Sequence, residues 1–534
     1  MCGIFAFKGQ SITTSTLERS FNLIKHRGPD ESAIESYEGL FLGFHRLAIM
    51  DLSHQGMQPF KGANSERLIC NGEIFNYKAL TKIVSDSYSF HSGSDCEVIL
   101  PLIEKIGLTE ACQQLDGEFA FVLADTKTGR LQAARDLFGI RPLFYGKTEI
   151  DGELAFASEA KALHDFCTEV KPFPPGHLFD GSEFVAFSKF EDGKGIGSLP
   201  EESADLTTIT RNIGKLLTES VEKRLQADAP IGFLLSGGLD SSLVCALAAK
   251  LRDKPIRTFA IGTKTDAIDT HYAQIVADHI GSDHTNVYFD REDILERLEE
   301  VIVTLETWDI TTIRASIGMF LICEHIRKQT DIKVLLTGEV SDELFGYKYT
   351  DYAPSSEAFQ EESLKRVTEL YYYDVLRADR CISAHSLEAR VPFSDNNFAK
   401  YVVGIHPEIK LNRYGIGKYL LRRAFADQNL LPESILNREK AAFSDAVGHS
   451  MVDDIKAYAE GTISDTELAA AKLSFAEPAP FTKESLLYRR IFEKHYPGRS
   501  SLIPDFWMPN QSWSNCKVKD PSARVLPNYG KSGS

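Results

Sequence analysis

The sequence predicts a two-domain chain: an N-terminal α+β layered sandwich, then an α/β domain built on a parallel sheet. Three observations carry that prediction. Up to about residue 190, apolar residues come in strand-length runs broken by turns such as Asp125-Thr126-Lys127-Thr128-Gly129, with few helices, one of them starting near Asp95. From Thr208 the period lengthens, with Ile209, Ile213, Leu216, Leu217, Val221 and Leu225 on one helical face. Beyond that helix, strand and helix patterns alternate as they do in βαβ units. The expected boundaries are 2–190 for the first domain, a polar Gly-, Ser-, Glu- and Pro-rich connection over 191–207, and 208–498 for the second. Residues 499–534 are rich in Pro, Ser and Asn without periodicity, which reads as a disordered end or an extended arm.

Within the second domain the expected strands are Ile231–Leu235, Arg257–Gly262, Thr285–Phe289 and Lys333–Leu336. The first runs into Ser236-Gly237-Gly238-Leu239-Asp240-Ser241-Ser242 and a helix expected to start on the serines. Strand, glycine turn and helix N-terminus bind phosphate, because backbone N–H groups converge on an anion and the helix end adds about half a positive charge. The last strand ends at Thr337-Gly338-Glu339-Val340-Ser341-Asp342-Glu343. Ligands of a parallel sheet sit at its strands' C-terminal ends, which places Asp240 and Asp342 on one rim as a candidate Mg²⁺ pair. GxxxxG-Lys-Ser/Thr is absent, so this is not the P-loop of most NTPases. The SGGLDSS turn resembles the pyrophosphate loop of the N-type ATP pyrophosphatases, which implies cleavage of ATP between the α- and β-phosphates and adenylation of a carboxylate or carbonyl.

Composition narrows the partners. A hydrophobic fraction of 43% over 534 residues supports sizeable cores. The formal net charge of −17 argues against DNA or RNA, whose phosphate backbone needs a basic surface. The nine cysteines are odd in number and form no CxxC, so they read as reduced thiols of a cytoplasmic protein rather than as a zinc site or a disulfide framework. No apolar run reaches the roughly 18 residues that would span a bilayer, and the apolar start is too short for a signal peptide, so no membrane partner is expected.

The N-terminus carries its own chemistry. Loss of Met1 would leave Cys2 with a free α-amine, whose pKa near 8 lets it act as base for its own thiol. The motifs that follow are His26-Arg27-Gly28-Pro29-Asp30, Gly43 to Asp51, Cys70-Asn71-Gly72-Glu73, Gly93 to Glu97, Asp116-Gly117-Glu118, Arg135 to Leu143 and Phe156 to Glu159. Together they resemble the N-terminal-nucleophile glutaminase domain of class II glutamine amidotransferases over residues 2–185. The resemblance implies that Cys2 attacks the glutamine amide and that Asn71 and Gly72 form the oxyanion hole. It also implies that Arg46 meets the substrate α-carboxylate and that Asp95, with Glu73 nearby, takes its ammonium. The plainer alternatives are surface salt bridges for Arg46 and Asp95, a type I′ turn at Asn71-Gly72, and structural roles for His26 and His45.

A glutaminase joined to an adenylating domain resembles the glutamine-hydrolysing asparagine synthetase family over essentially the whole chain. Thr311 to Ser316, Gly338 to Glu343 and Glu388 to Phe393 favour it over other members of the superfamily. The resemblance implies a carbon–nitrogen ligase using glutamine, aspartate and ATP with Mg²⁺, working as a homodimer. Carried over by position, Leu234, Ser236, Gly237, Gly238, Asp240, Ser241, Ile261, Thr337 and Gly338 are nucleotide contacts. Glu339 serves the β-aspartyl-adenylate step, and Thr311, Thr312, Arg314 and Lys440 meet the phosphates. The sequence departs from the family at Val340, where the family usually has glycine, and at Gly346-Tyr347-Lys348-Tyr349. A β-branched residue resists positive φ, so Val340 is expected at negative φ, with Glu339 and Asp342 still facing the glycine loop. Rival readings are a β-lactam-forming synthetase, which usually lacks the cysteine, an amide ligase acting on another carboxylate, and a non-catalytic glutamine sensor.

Overall fold

The computed structural model describes residues 1–149, 152–190, 205–264, 268–439, 449–475 and 478–529. Among the described residues, twelve strands lie in the N-terminal half: β1 (Gly3–Lys8), β2 (Glu31–Tyr37), β3 (Leu40–Arg46), β4 (Phe60–Lys61), β5 (Glu66–Ile74), β6 (Gly117–Asp125), β7 (Leu131–Arg135), β8 (Phe144–Thr148), β9 (Leu154–Ala157), β10 (Cys167–Pro172), β11 (His177–Phe179) and β12 (Phe184–Ala186). They form two antiparallel sheets, ordered β10-β8-β9-β1-β3-β2 and β12-β11-β7-β6-β5-β4. Alternation directs Ile4, Ala6, Leu42 and Phe44 of the first sheet against Ile69, Ala120, Val122 and Ala133 of the second, a dry layer between them.

The C-terminal half contains β13 (Ile231–Leu234), β14 (Arg257–Thr263), β15 (Asp283–Phe289), β16 (Val334–Leu336) and β17 (Glu388–Arg390), in the all-parallel order β15-β14-β13-β16-β17. Chain order reverses between β14 and β16, on either side of β13, so the glycine turn leaves the sheet at its switch point. The helix Leu206–Arg224 buries Ile209, Ile213, Leu217 and Val221, the face read from the sequence. The helix after the glycine turn begins at Leu239, earlier than the serines, so Asp240 and Ser241 lie in its first turn. β17 was not foreseen. At three residues it is too short for a period to show, and it is defined only by its pairing with β16.

Buried ion pairs join the two halves. Arg27 binds Asp379 (2.8 Å), Arg224 binds Glu118 (2.8 Å), Arg390 binds Glu73 (3.0 Å), and Arg141 donates to the Ala389 carbonyl (2.7 Å). All four arginines are almost wholly excluded from solvent, so removing one partner would strand a buried charge.

Residues 499–529 are an extended arm, not a disordered end; Arg499 at its start donates to the His164, Cys167 and Thr168 carbonyls of the first domain, and the rest packs on the second. Trp507 donates its backbone N–H to Asp309 (2.7 Å), Asp520 pairs with Arg314 (2.8 Å), and Trp507, Trp513, Cys516 and Leu526 are buried. The arm has no period because it follows an irregular surface, and side chains of the domain satisfy its backbone. The connection at 191–204, and Lys440 with it, lie outside the described residues. No helix among the described residues is long and apolar enough to cross a membrane.

Candidate active site

Two sites emerge, one in each half. In the first, β1 delivers Cys2 beside β5. The Cys2 N–H donates to Asn71 Oδ1 (2.9 Å), while Asn71 Nδ2 is buried with no hydrogen-bond partner. Asn71 and Gly72 are not a turn. They sit mid-strand opposite Ala120 and Phe119 of β6, and a Cβ on Gly72 would lie 2.6 Å from the Glu118 carbonyl oxygen. The cysteine thiol is pushed up to about 11 by burial, with the nearby α-ammonium of Met1 pulling the other way. Met1 itself is buried, and its amine, lowered to about 5 by desolvation, donates to the Leu387 carbonyl.

Arg46 and Asp95 are buried, so neither is a surface salt bridge. Arg46 Nη1 donates to Glu31 (2.5 Å) and to the Ser53 carbonyl (2.6 Å), and Nη2 to the Asp51 carbonyl, which fixes the guanidinium plane. Asp95 accepts the Ile74 N–H (2.5 Å). Glu73 departs from the sequence reading, since its carboxylate is paired with Arg390 of β17 and bridges the halves. His45 is structural. It stacks on Phe21 at 3.7 Å, contacts Ser32 Oγ and the Phe21 carbonyl, and is pushed down to about 4 by burial.

The second site is a cleft at the C-terminal ends of β13, β14 and β16. Leu234, Ser236, Gly238, Asp240, Ser241, Ile261, Thr311, Arg314, Thr337, Gly338, Glu339 and Asp342 all line it. Gly237 shapes the turn from behind, at φ +70°, where a Cβ would strike the Ala273 nitrogen at 2.5 Å. On the cleft wall Thr337 Oγ1 and Glu339 Oε2 are buried without hydrogen-bond partners, the usual mark of groups that await a ligand. Asp240 and Asp342 are drawn together by Lys418, whose Nζ lies 2.6 Å from one and 2.8 Å from the other. Two carboxylates already sharing one cation are a donor set that fits Mg²⁺. Among the described residues no group of three or more His, Cys, Asp or Glu side chains is gathered to hold a metal alone.

Two residues assigned to phosphate do other work here. Arg314 is enclosed by Glu484 (2.8 and 2.5 Å), Asp520 (2.8 Å) and Ser522 (2.7 Å), and so ties the C-terminal arm to the cleft. Thr312 takes part in an N-cap, its N–H and Oγ1 both donating to Asp309 (2.7 Å).

Comparison with known proteins matches both halves of the chain. Residues 1–176 match the glutamine amidotransferase domain model, and residues 212–358 and 351–519 match the asparagine synthase model. The chain is 44% identical to the glutamine-hydrolysing asparagine synthetase of Gallus gallus and 43% to that of Homo sapiens, each over 99% of both chains. The chain belongs to the glutamine-hydrolysing asparagine synthetase family. A glutamine phosphoribosylpyrophosphate amidotransferase structure from B. subtilis is similar at 15% identity and a TM-score of 0.31, covering 68% of this chain and 79% of that one.

In the acidic loop the sequence expectation fails. Val340 has φ +76° and ψ −18°, in the left-handed region, where it caps the helix Ser341–Phe345. The sharp entry into that helix demands a left-handed residue, and the core holds the valine there, with its side chain 1% exposed among Leu336, Leu344 and Phe345. Left-handed strain costs about 1–3 kcal/mol, while burying the side chain contributes about 1.5–3 kcal/mol. Val340→Gly is therefore expected to change stability by less than about 1 kcal/mol, strain relief offsetting lost burial. Val340→Ala, though larger, should be the less stable of the two by about 1 kcal/mol, because it keeps a Cβ in the left-handed region. Urea melts decide it, and an alanine variant more stable than the glycine variant would contradict this account.

Lys418, Arg438 and Arg377 also line the cleft, and the sequence reading gave them no role. Lys418 follows Gly415-Ile416-Gly417, a glycine-rich turn ending in a base that could have flagged it. Arg438 donates to the Gly237 carbonyl (3.0 Å) and lies over Tyr272 (3.9 Å), bracing the glycine turn. Arg377 lies 3.7 Å from Glu339.

Proposed function

We propose that this chain makes asparagine from aspartate, with ATP driving the step and glutamine supplying the nitrogen. The observation that carries the reading is Asn71, bonded through Oδ1 to the Cys2 nitrogen while Nδ2 stays buried without an acceptor. That donor stands beside the nucleophile, where the oxyanion of a tetrahedral intermediate would form. One such donor contributes about 3–4 kcal/mol of transition-state stabilisation.

With Met1 removed, the Cys2 amine takes the thiol proton and Sγ attacks the glutamine amide carbon. Asn71 Nδ2 and the Gly72 N–H hold the oxyanion, ammonia leaves, and water releases glutamate from the thioester. Arg46 receives the α-carboxylate and Asp95 the ammonium of glutamine. In the cleft, the aspartate β-carboxylate attacks the α-phosphorus of ATP and pyrophosphate departs. Ser236, Gly238, Ser241 and the first turn of the helix Leu239–Leu251 receive the phosphates, beside the Thr311 hydroxyl. Leu234, Ile261, Thr337 and Gly338 receive the rest of the nucleotide. Asp240 and Asp342 would hold Mg²⁺, which when bound neutralises charge on the phosphates. Ammonia then attacks the acyl carbon of the adenylate, and the new C–N bond forms as AMP leaves. The nitrogen must shed a proton, and Glu339 Oε2, buried without a partner, is placed to accept it. Lys440 joins the phosphate set by position in the family motif alone. The nine unpaired thiols support a reducing, cytoplasmic setting, and a homodimer is carried over from the family.

The test is purified protein with ATP, Mg²⁺, glutamine and aspartate, followed for asparagine, glutamate, AMP and pyrophosphate together. Equal yields of asparagine and AMP are expected. AMP release indifferent to aspartate, or ADP in place of AMP, would sink the proposal.

A pH dependence follows from Asp95, whose carboxyl is pushed up to about 6 by burial, against the lowering effect of the Ile74 N–H and Arg390. The ionised form, which glutamine's ammonium needs, prevails only above that pH. KM for glutamine should therefore be flat above about pH 7 and rise about tenfold per unit well below pH 6. Asp95→Asn should raise KM above about pH 6, where the wild-type carboxylate is ionised, and flatten the profile, and an unchanged slope in that variant would assign the titration elsewhere.

A further inference from the structure

The two carboxylates proposed to hold metal already have a cation between them. Lys418 Nζ lies 2.6 Å from Asp240 Oδ2 and 2.8 Å from Asp342 Oδ1, and donates to Ser341 Oγ at 3.0 Å. Ser341 in turn donates to Asp240 Oδ1 at 2.7 Å. Two N–H groups of the ammonium are thus hydrogen-bonded, to Asp240 and Ser341, the contact with Asp342 is an ion pair, and the lysine side chain is 3% exposed. The backbone commits to this placement, since Lys418 sits at φ +57° at the start of the helix Tyr419–Phe425. A buried ammonium and a divalent ion satisfy the same need, positive charge between two carboxylates, and a strongly held Mg²⁺ demands close oxygen contacts that Lys418 now occupies.

We propose that Lys418 is a resident counter-ion that holds Asp240 and Asp342 together in the nucleotide-free enzyme and makes divalent-cation binding conditional on a polyphosphate. This rests on the metal reading given above. If a metal entered alone, it would strand a buried ammonium without an anion. If it enters with a polyphosphate, Lys418 exchanges carboxylate oxygens for phosphate oxygens in the same cleft, and no charge is left unpaired. Two protein carboxylates are also too few ligands for an octahedral ion, so the polyphosphate and water must complete the shell. The net effect is that metal and nucleotide bind as a unit.

The test uses Mn²⁺ as the probe, with free Mn²⁺ measured by electron paramagnetic resonance on the full chain. In the wild type, Mn²⁺ should bind at least tenfold more tightly with α,β-methylene-ATP than without nucleotide, after subtraction of binding by Asp342→Asn. Lys418→Met should bind Mn²⁺ without nucleotide at least tenfold more tightly than the wild type, and Asp342→Asn in that background should remove the gain. Mn²⁺ should also raise the melting temperature of Lys418→Met more than that of the wild type, which checks folding and occupancy together. Nucleotide-free Mn²⁺ affinity that is equal in the wild type and Lys418→Met would overturn the counter-ion role. If Lys418→Met does not fold, the wild type still decides: Mn²⁺ bound to the Asp342-dependent site as tightly without nucleotide as with it would overturn the proposal. Absence of any Asp342-dependent Mn²⁺ binding, even with nucleotide, would overturn the metal reading itself.

Discussion

Cys2→Ala is expected to remove glutamine hydrolysis, by on the order of 10⁶-fold as for a lost nucleophile in another acyl-transfer enzyme, while ammonium salts still support asparagine synthesis. The two chemistries separate because nothing in the nucleotide cleft depends on the thiol. Cys2 contacts the Asn71 side chain and, through Sγ, the Leu47 carbonyl at 3.7 Å, all within the first half of the chain. The thiol also needs its own base. With Met1 attached, the Cys2 nitrogen is an amide without basicity, and burial pushes the thiol up to about 11, so the nucleophile stays protonated. Removal of Met1 turns that nitrogen, already held 2.9 Å from Asn71 Oδ1, into the missing amine. An N-terminal extension that blocks this removal should therefore suppress glutamate release nearly as well as Cys2→Ala. Both variants are checked by measuring glutamate from glutamine and asparagine from ammonium chloride side by side. Glutaminase activity surviving in Cys2→Ala would end the assignment of the nucleophile.

The parts of these sites that could be read from sequence are those whose geometry is local. Ser236 to Asp240 declares itself because strand, paired glycines and helix follow within a dozen residues, and the structure needs only a small shift of the helix start to Leu239. Lys418 is 178 residues from Asp240, and although the glycine-rich turn before it marks a base on a loop, that turn does not say that the ammonium will reach back to two loops of the sheet. The pairing of Glu73 with Arg390 is hidden for the same reason, since it exists only where the two halves meet. Arg314 shows the opposite failure: its motif is legible, but its enclosure by Glu484 and Asp520 comes from segments far along the chain. Val340 fails on energetics. Local sterics favour negative φ, but the short helix and the buried side chain together outweigh them. For the C-terminal segment the sequence left a disordered end and an extended arm open, because periodicity detects helices and strands, not an irregular segment that buries two tryptophans.

Asp240→Asn and Asp342→Asn should each stop adenylate formation with either nitrogen source, lowering ATP–pyrophosphate exchange by on the order of 10²-fold or more, at least as large as losses from outer-shell metal partners. An asparagine side chain keeps nearly the same shape, so in Asp240→Asn the amide oxygen could still accept from Ser341 Oγ, whose bond to the native Oδ1 is 2.7 Å. What the substitution removes is charge. In either variant Lys418 retains one carboxylate, at 2.8 Å in the first and 2.6 Å in the second, so its ammonium is not stranded and the cleft should stay folded. The loss should therefore appear in catalysis rather than in the melting temperature, which separates a metal role from a structural one. The pair should also behave as one unit: the double variant should be little worse than either single, since one carboxylate alone cannot hold the ion. Pyrophosphate exchange is the right readout because it reports adenylation without any nitrogen source. Exchange at the wild-type rate in both single variants would mean that neither carboxylate holds the nucleotide's metal, and that the rim pair serves only to anchor Lys418.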